Sequence, residues 1–257
     1  MDDTRLPLTE HLSELRTRIV RALLFWAVGA GVAWWGRELI FRELLRPAVE
    51  ALAKDGGTLQ AIAPGEIFFT YLKGAVLGGF VLALPAILWQ AWAFIAPGLY
   101  PGEKRMALPF VFAATLLFVA GAAFGHQLVF PLMFAFLSGF ESEFVKAAWT
   151  MREVWSMTTN LFLAFGIAFQ LPVLVFFLAS AGVLTVKQLM GYFPNAVLVN
   201  FVVAAILTPA DWVSQVMLAV PMCLLYLLGV GVAWAFGGKR ARGTAEAQSD
   251  ASAVARV

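Results

Sequence analysis

Three carboxylates in this chain stand where they could hold a cationic ligand. Glu10 and Glu14 are four residues apart in Thr9-Glu10-His11-Leu12-Ser13-Glu14-Leu15-Arg16. Glu103, followed by two cations, lies in a segment rich in aromatics, prolines and glycines, Phe94-Ile95-Ala96-Pro97-Gly98-Leu99-Tyr100-Pro101-Gly102-Glu103-Lys104-Arg105. A carboxylate can grip a guanidinium through two parallel hydrogen bonds, a fork that a lysine ammonium cannot match. Two carboxylates on neighbouring segments therefore favour a ligand with two adjacent arginines. The plainer reading gives each acid a local partner in Arg16, Arg18 or Arg105, and exposed pairs of that sort contribute little. On the residues alone both readings stay open.

A second set of polar residues lies inside apolar runs, where such groups are costly. Gln170 is the clearest, in Phe165-Gly166-Ile167-Ala168-Phe169-Gln170-Leu171-Pro172. Pro172 cannot donate a backbone hydrogen bond, so a carbonyl one turn earlier is freed close to Gln170. Gln170 is either a functional contact or interhelical glue of about 1 kcal/mol. Glu66 and Lys73 share a helix face at an interface, where lysine can snorkel. His126 reads as an interfacial hydrogen-bonder rather than a proton carrier. Asp211 and Gln215 straddle the start of the last span, where Asp211 could cap the helix. Cys223 is the one cysteine, which excludes an intramolecular disulfide and leaves core filling as its reading.

Catalytic chemistry finds no footing. No histidine pair has metal-ligand spacing, no serine sits in a nucleophile elbow, and no glycine-rich loop precedes a basic residue. No metal, no cofactor and no nucleic acid is expected; the net charge is only +2.

The elements that must position these residues are transmembrane. The chain is 61% hydrophobic and 13% charged, about half the charge of a soluble domain. The expected fold is an all-α integral membrane protein of one domain, residues 1–236. Its six spans cover residues 19–35, 67–94, 107–136, 154–181, 192–207 and 213–236. Thr9 to Arg16 reads as a separate amphipathic helix at the interface. Arg37 to Glu66 reads as a polar stretch whose charges alternate as on a solvated helix face. Pro85 and Pro131 interrupt spans two and three and are read as structural. Lys187 marks a short loop, and Thr208 to Trp212 a tight turn. The span at 192–207 is near the lower limit for crossing. Residues 237–257 are a basic, then disordered, tail. The acidic start, Asp2-Asp3, and the spans that follow argue against a cleavable signal peptide.

Six spans put both termini on one side. That side carries eleven lysines and arginines against six opposite, which sets it in the cytoplasm together with the Glu103 loop. A polytopic transporter of a small solute is the alternative, prompted by proline-broken spans with Gln170 at mid-depth. Against it, no internal repeat is visible.

Taken together, these stretches resemble the TatC family, the multispanning receptor subunits of the twin-arginine protein translocase. Thr9 to Arg16 is similar to the family's N-terminal signature. Trp92 to Tyr100, closed by Glu103-Lys104-Arg105, resembles its first cytoplasmic loop. Phe165-Gly166, Phe169 to Pro172 and Thr208 to Asp211 resemble its later motifs. Order and spacing agree over about residues 7–236. The resemblance implies a non-enzymatic receptor for signal peptides bearing consecutive arginines on folded cargo. It implies the single-span partners TatA and TatB, further TatC copies, and transport driven by the proton-motive force across the bacterial inner membrane. It implies a concave six-helix cup whose last two helices are short. Glu14 and Glu103 match the acids that grip the arginine pair; Glu10, Leu15, Arg16, Phe94, Pro97, Tyr100 and Arg105 match the surface around them. Pro47 matches a proline of the first outer loop. Gln170 matches a polar position facing the cup that is often Glu in the family; glutamine there implies hydrogen bonding to a partner helix rather than protonation. Phe169, Pro172, Thr208, Asp211 and Gln215 complete the region where partner helices would dock.

Overall fold

The computed structural model describes residues 8–53, 58–95, 107–140, 148–180, 182–208 and 212–236. The helices among them are α1 (Leu8–Trp35), α2 (Arg37–Ala53), α3 (Glu66–Ile95), α4 (Ala107–Phe124), α5 (Phe130–Ser138), α6 (Met151–Ala168), α7 (Leu171–Ser180), α8 (Val186–Gly191), α9 (Phe193–Leu207) and α10 (Trp212–Phe236). A π turn, Gly125–Val129, joins α4 to α5, just ahead of Pro131, whose ring an unbroken α ladder would not accept. Among the described residues the only β pairing is one parallel bridge, Gln60 with Thr150.

Five stretches are long and apolar enough to cross a membrane: Leu12–Trp35, Glu66–Phe94, Leu108–Ser138, Met151–Ser180 and Trp212–Ala235. The remaining expected span, 192–207, corresponds to α9. Its 15 residues extend only about 22 Å at the α-helical rise, short of a hydrocarbon core about 30 Å thick.

Three expectations are corrected. Thr9 to Arg16 is not a separate helix, because α1 continues unbroken to Trp35; no proline or glycine intervenes before Gly29 to stop it. The charged stretch after residue 37 is a helix whose other face buries Leu44, Leu45, Pro47, Ala48, Ala51 and Leu52. Lys187 lies in a helix rather than a loop: Thr185 and Gln188 form a reciprocal capping box that starts α8. Residues 209–211 of the expected tight turn, and the tail 237–257, lie outside the described residues.

Contacts divide the chain into two compact units, residues 1–119 with 126–159, and residues 120–125 with 160–257. In the first, α1 packs along α3. The Trp34 ring meets Phe68 at 6.0 Å and Trp26 meets Phe80 at 5.6 Å. Numbers fall along one helix as they rise along the other, so the pair is antiparallel. Between these contacts the backbones touch at glycine: a Cβ on Gly29 would lie 2.6 Å from the Gly79 carbonyl oxygen. The Trp26 indole donates to the Val76 carbonyl at 2.8 Å, so that polar edge is satisfied away from water.

Pro47 sits inside α2. Having no N–H, it leaves the carbonyl four residues back, that of Glu43, without its helical donor. His126 fills the gap, its Nε2 lying 2.7 Å from the Glu43 carbonyl oxygen. A carbonyl only accepts, so Nε2 carries the proton. His126→Leu should therefore destabilise the protein by about 0.5–1.5 kcal/mol, the worth of one hydrogen bond to a carbonyl at an exposed position. In a Pro47→Ala background, where residue 47 donates again, the same change should cost close to nothing. Unfolding midpoints of the four proteins in detergent, read by tryptophan fluorescence, test the coupling; equal losses in both backgrounds would refute it.

In the second unit α10 packs on α7, α9 and α8. A Cβ on Gly229 would lie 2.7 Å from Pro172 Cα, so α10 reaches α7 where proline has already broken the helix. The core here is Val175, Ala179, Leu189, Tyr226, Val230 and Ala233. The Tyr226 hydroxyl donates to the Leu189 carbonyl at 2.8 Å and ties α8 to α10.

Candidate functional site

Glu14 lies half-buried on α1. Arg18, one turn on, donates to it from Nε at 2.9 Å and from Nη2 at 2.5 Å. Both contacts fall on Oε1. Among the described residues Oε2 accepts no hydrogen bond. Of the cations near enough in sequence, Arg18 is the partner because the i, i+4 spacing brings it onto the same face. The pair leaves Glu14 with half of its bidentate capacity. Arg16 is exposed and forms no ion pair among the described residues, and Leu15 is half-buried. The backbone of Glu10 belongs to the first turn of α1.

Phe94 is half-buried in the last turn of α3. The Gly29·Gly79 contact fixes the register of α1 on α3. Fifteen residues back from Gly29 is Glu14, and fifteen residues on from Gly79 is Phe94, about 22 Å along each antiparallel helix. Glu14 and Phe94 therefore stand at the same end of the first unit. The segment that follows Phe94 leaves from the level of Glu14. Pro97, Tyr100, Glu103 and Arg105 lie on that segment, outside the described residues.

The residues expected to meet partner helices belong to the second unit. Helix α6 stops at Ala168 and α7 starts at Leu171, so Phe169 and Gln170 form the turn between them. The Gln170 N–H donates to the Ile167 carbonyl at 2.9 Å, and its carbonyl accepts from Leu174 N at 2.9 Å. The break expected from Pro172 is there, and Pro172 is buried. Phe169 is half-buried against α4, its ring 5.6 Å from that of Phe124. Thr208 turns back on its own helix, its hydroxyl donating to the Ala204 carbonyl at 2.8 Å. Gln215 donates from Nε2 to the Phe201 carbonyl at 3.2 Å and links α10 to α9. Asp211 lies outside the described residues.

Other predicted positions have structural work. Glu66 does not pair with Lys73; its Oε2 accepts from the Ile62 and Ala63 N–H groups at 2.8 and 3.3 Å and closes the turn into α3. Pro85 lies within α3 on an exposed face. Pro131 opens α5, and with Pro47 it lines a cleft of about 370 Å³ between α2 and α5. One residue escaped the sequence reading. Asn200 is buried in mid-α9, its Nδ2 3.6 Å from Cys223 Sγ. An asparagine within a short apolar run is itself the signal. Among the described residues no group of histidine, cysteine, aspartate and glutamate could hold a metal ion.

Comparison with known proteins agrees with this architecture. The family model described as Sec-independent protein translocase protein (TatC) matches residues 10–221. The TatC protein of Koribacter versatilis (strain Ellin345) is 41% identical over 242 residues, covering 93% of this chain and 89% of its own. That of Helicobacter pylori (strain ATCC 700392 / 26695) is 40% identical over 229 residues, covering 88% and 87%. A crystal structure described as the twin arginine translocase receptor TatC superposes with a TM-score of 0.75 at 33% identity, covering 88% of this chain and 98% of that one. The chain belongs to the TatC family, multispanning membrane proteins that are components of a protein translocase rather than enzymes.

Proposed function

We propose that this protein is the signal-peptide receptor of a twin-arginine translocase, with Glu14 and Glu103 gripping the two arginines of the cargo's signal peptide. The observation that carries the reading is the level of Glu14. It stands at the end of the first unit from which the Glu103 segment departs, and among the described residues one of its carboxylate oxygens accepts no hydrogen bond. Glu10, Leu15, Arg16, Phe94, Pro97, Tyr100 and Arg105 form the surface around the pair. The excess of cations on the terminal side supports a cytoplasmic position for it. In this reading residues 1–236 act as one domain with six spans and both termini inside, and α9 crosses where the bilayer thins locally. The protein sits in the bacterial inner membrane with TatA, TatB and further copies of itself. Phe169, Gln170, Pro172, Thr208, Asp211 and Gln215 meet the partners' helices, and the proton-motive force drives export.

The test is a binding titration on the purified protein with twin-arginine and twin-lysine peptides otherwise identical. The twin-lysine peptide should bind roughly tenfold more weakly, because it loses the fork geometry. Glu103→Gln should weaken the twin-arginine peptide and narrow that gap. Equal affinity of the two peptides for the natural protein would overturn the carboxylate clamp.

A further inference from the structure

At the end of the first unit away from Glu14, a cleft of about 380 Å³ opens between α2 and the start of α3, with Glu38, Phe41, Arg42, Leu45, Arg46 and Tyr71 in its lining. The apolar stretch of α3 begins at Glu66, so Tyr71 lies about 7 Å into it by helical rise. That is the depth of a lipid headgroup and its glycerol, where tyrosine is at home.

The polar groups in the cleft are unequally engaged. Arg46 is held by two acids, Glu43 at 3.2 Å and Glu50 at 3.7 Å. Glu38 and Arg42 are exposed, opposite in charge and one helical turn apart. Among the described residues neither makes an ion pair or a side-chain hydrogen bond. The Tyr71 ring stands edge-on to Phe41 at 5.1 Å, and its hydroxyl has no partner among the described residues either. Three unengaged groups thus face one cleft beside an aromatic wall: a guanidinium, a phenol and a carboxylate.

Their complement is a phosphate and a primary ammonium joined at short range, since residues four apart on a helix are about 6 Å apart at Cβ. We propose that this cleft binds the headgroup of phosphatidylethanolamine, the phosphate on Arg42 and the Tyr71 hydroxyl, the ammonium on Glu38. A purely anionic lipid would leave Glu38 unmatched and repelling. A quaternary ammonium keeps its charge and its attraction to the aromatic faces, but has no N–H to give Glu38. The balanced charge of Glu38 and Arg42 therefore selects a zwitterion, and the carboxylate selects the primary amine.

The test uses the full chain in nanodiscs of phosphatidylglycerol carrying equal minor amounts of phosphatidylethanolamine and phosphatidylcholine, with retained lipids counted by native mass spectrometry. The natural protein should retain phosphatidylethanolamine over phosphatidylcholine by about tenfold, the worth of one charge-assisted hydrogen bond. E38Q should erase that preference. R42Q should lower retention of both zwitterions relative to phosphatidylglycerol. The exchanged pair E38R/R42E keeps the same two charges and should recover part of the preference. Equal retention of the two zwitterions by the natural protein, a preference unchanged in E38Q, or phosphatidylglycerol enriched over its mole fraction more than either zwitterion would each overturn the assignment. So would displacement of the lipid by soluble glycerophosphoethanolamine, which would point to a free phosphoamine rather than a membrane lipid.

Discussion

Gly79→Ala should abolish the folded protein in detergent extracts, although it adds a single methyl group. The new Cβ would collide with the backbone of Ala30 and stand 2.7 Å from the Gly29 carbonyl carbon. None of these is the movable end of a side chain. Relief requires α1 and α3 to separate, and this is the principal packing contact of α1. Small residues bring membrane helices together because lipid supplies no hydrophobic drive, and dispersion at close approach must do it. Separation also breaks the Trp26 indole bond to the Val76 carbonyl. The expected loss is at least about 3 kcal/mol, beyond ordinary overpacking. Gly31→Ala is the control: it lies on α1, two residues from Gly29 in the same pair of helices, yet nothing lies within 4 Å of the added methyl. Thermal unfolding followed by tryptophan fluorescence should show an ordinary transition for Gly31→Ala and none for Gly79→Ala. Similar transitions for both would mean that the glycine contact does not hold the helices.

Five of the six expected spans were legible because a membrane helix needs about 20 apolar residues in a row, a signal that few other structures give. The break at Phe169 and Gln170 was legible too, since proline removes a known donor at a known position. The charged face of α2 was legible as a solvated helix face; its buried face was not, because Leu44, Leu45, Ala48 and Leu52 are interleaved with six charges. The partnership of Pro47 and His126 was half legible. Counting back four from Pro47 names the orphaned Glu43 carbonyl, but nothing in the sequence brings residue 126 to it. The Gly29·Gly79 contact lies outside local pattern altogether, because it depends on which helix packs on which. For Glu14 the alternatives were all visible as nearby cations; helix periodicity selects Arg18, and only coordinates show that it takes one oxygen and leaves the other.

That last detail fixes the sign of an unusual prediction. Arg18→Gln should strengthen binding of a twin-arginine peptide, while Glu14→Gln should weaken it. In the unliganded protein Arg18 occupies Oε1 of Glu14, so an incoming guanidinium must share the carboxylate or displace its occupant. An i, i+4 pair of this exposure is worth only about 0.3–0.5 kcal/mol, so displacement is cheap, and removing Arg18 should gain a few-fold in affinity. Glu14→Gln removes the charge that makes the fork strong, and a hydrogen bond to a charged group is worth about 1.5–3 kcal/mol, or roughly tenfold to a hundredfold in affinity. Because Arg18 acts through Glu14, the double variant should bind like Glu14→Gln alone, and the gain from Arg18→Gln should vanish. A purely structural pair predicts something else: both single variants lower the unfolding midpoint slightly and equally, and neither changes affinity. Peptide titrations on the four proteins, with unfolding midpoints alongside, separate the two. Raising the salt should shrink the Arg18 effect first, since it is the smaller of the two contributions and rests on charge alone. If Arg18→Gln instead weakens binding as much as Glu14→Gln, the two side chains work as a unit and the carboxylate is not held open for a ligand.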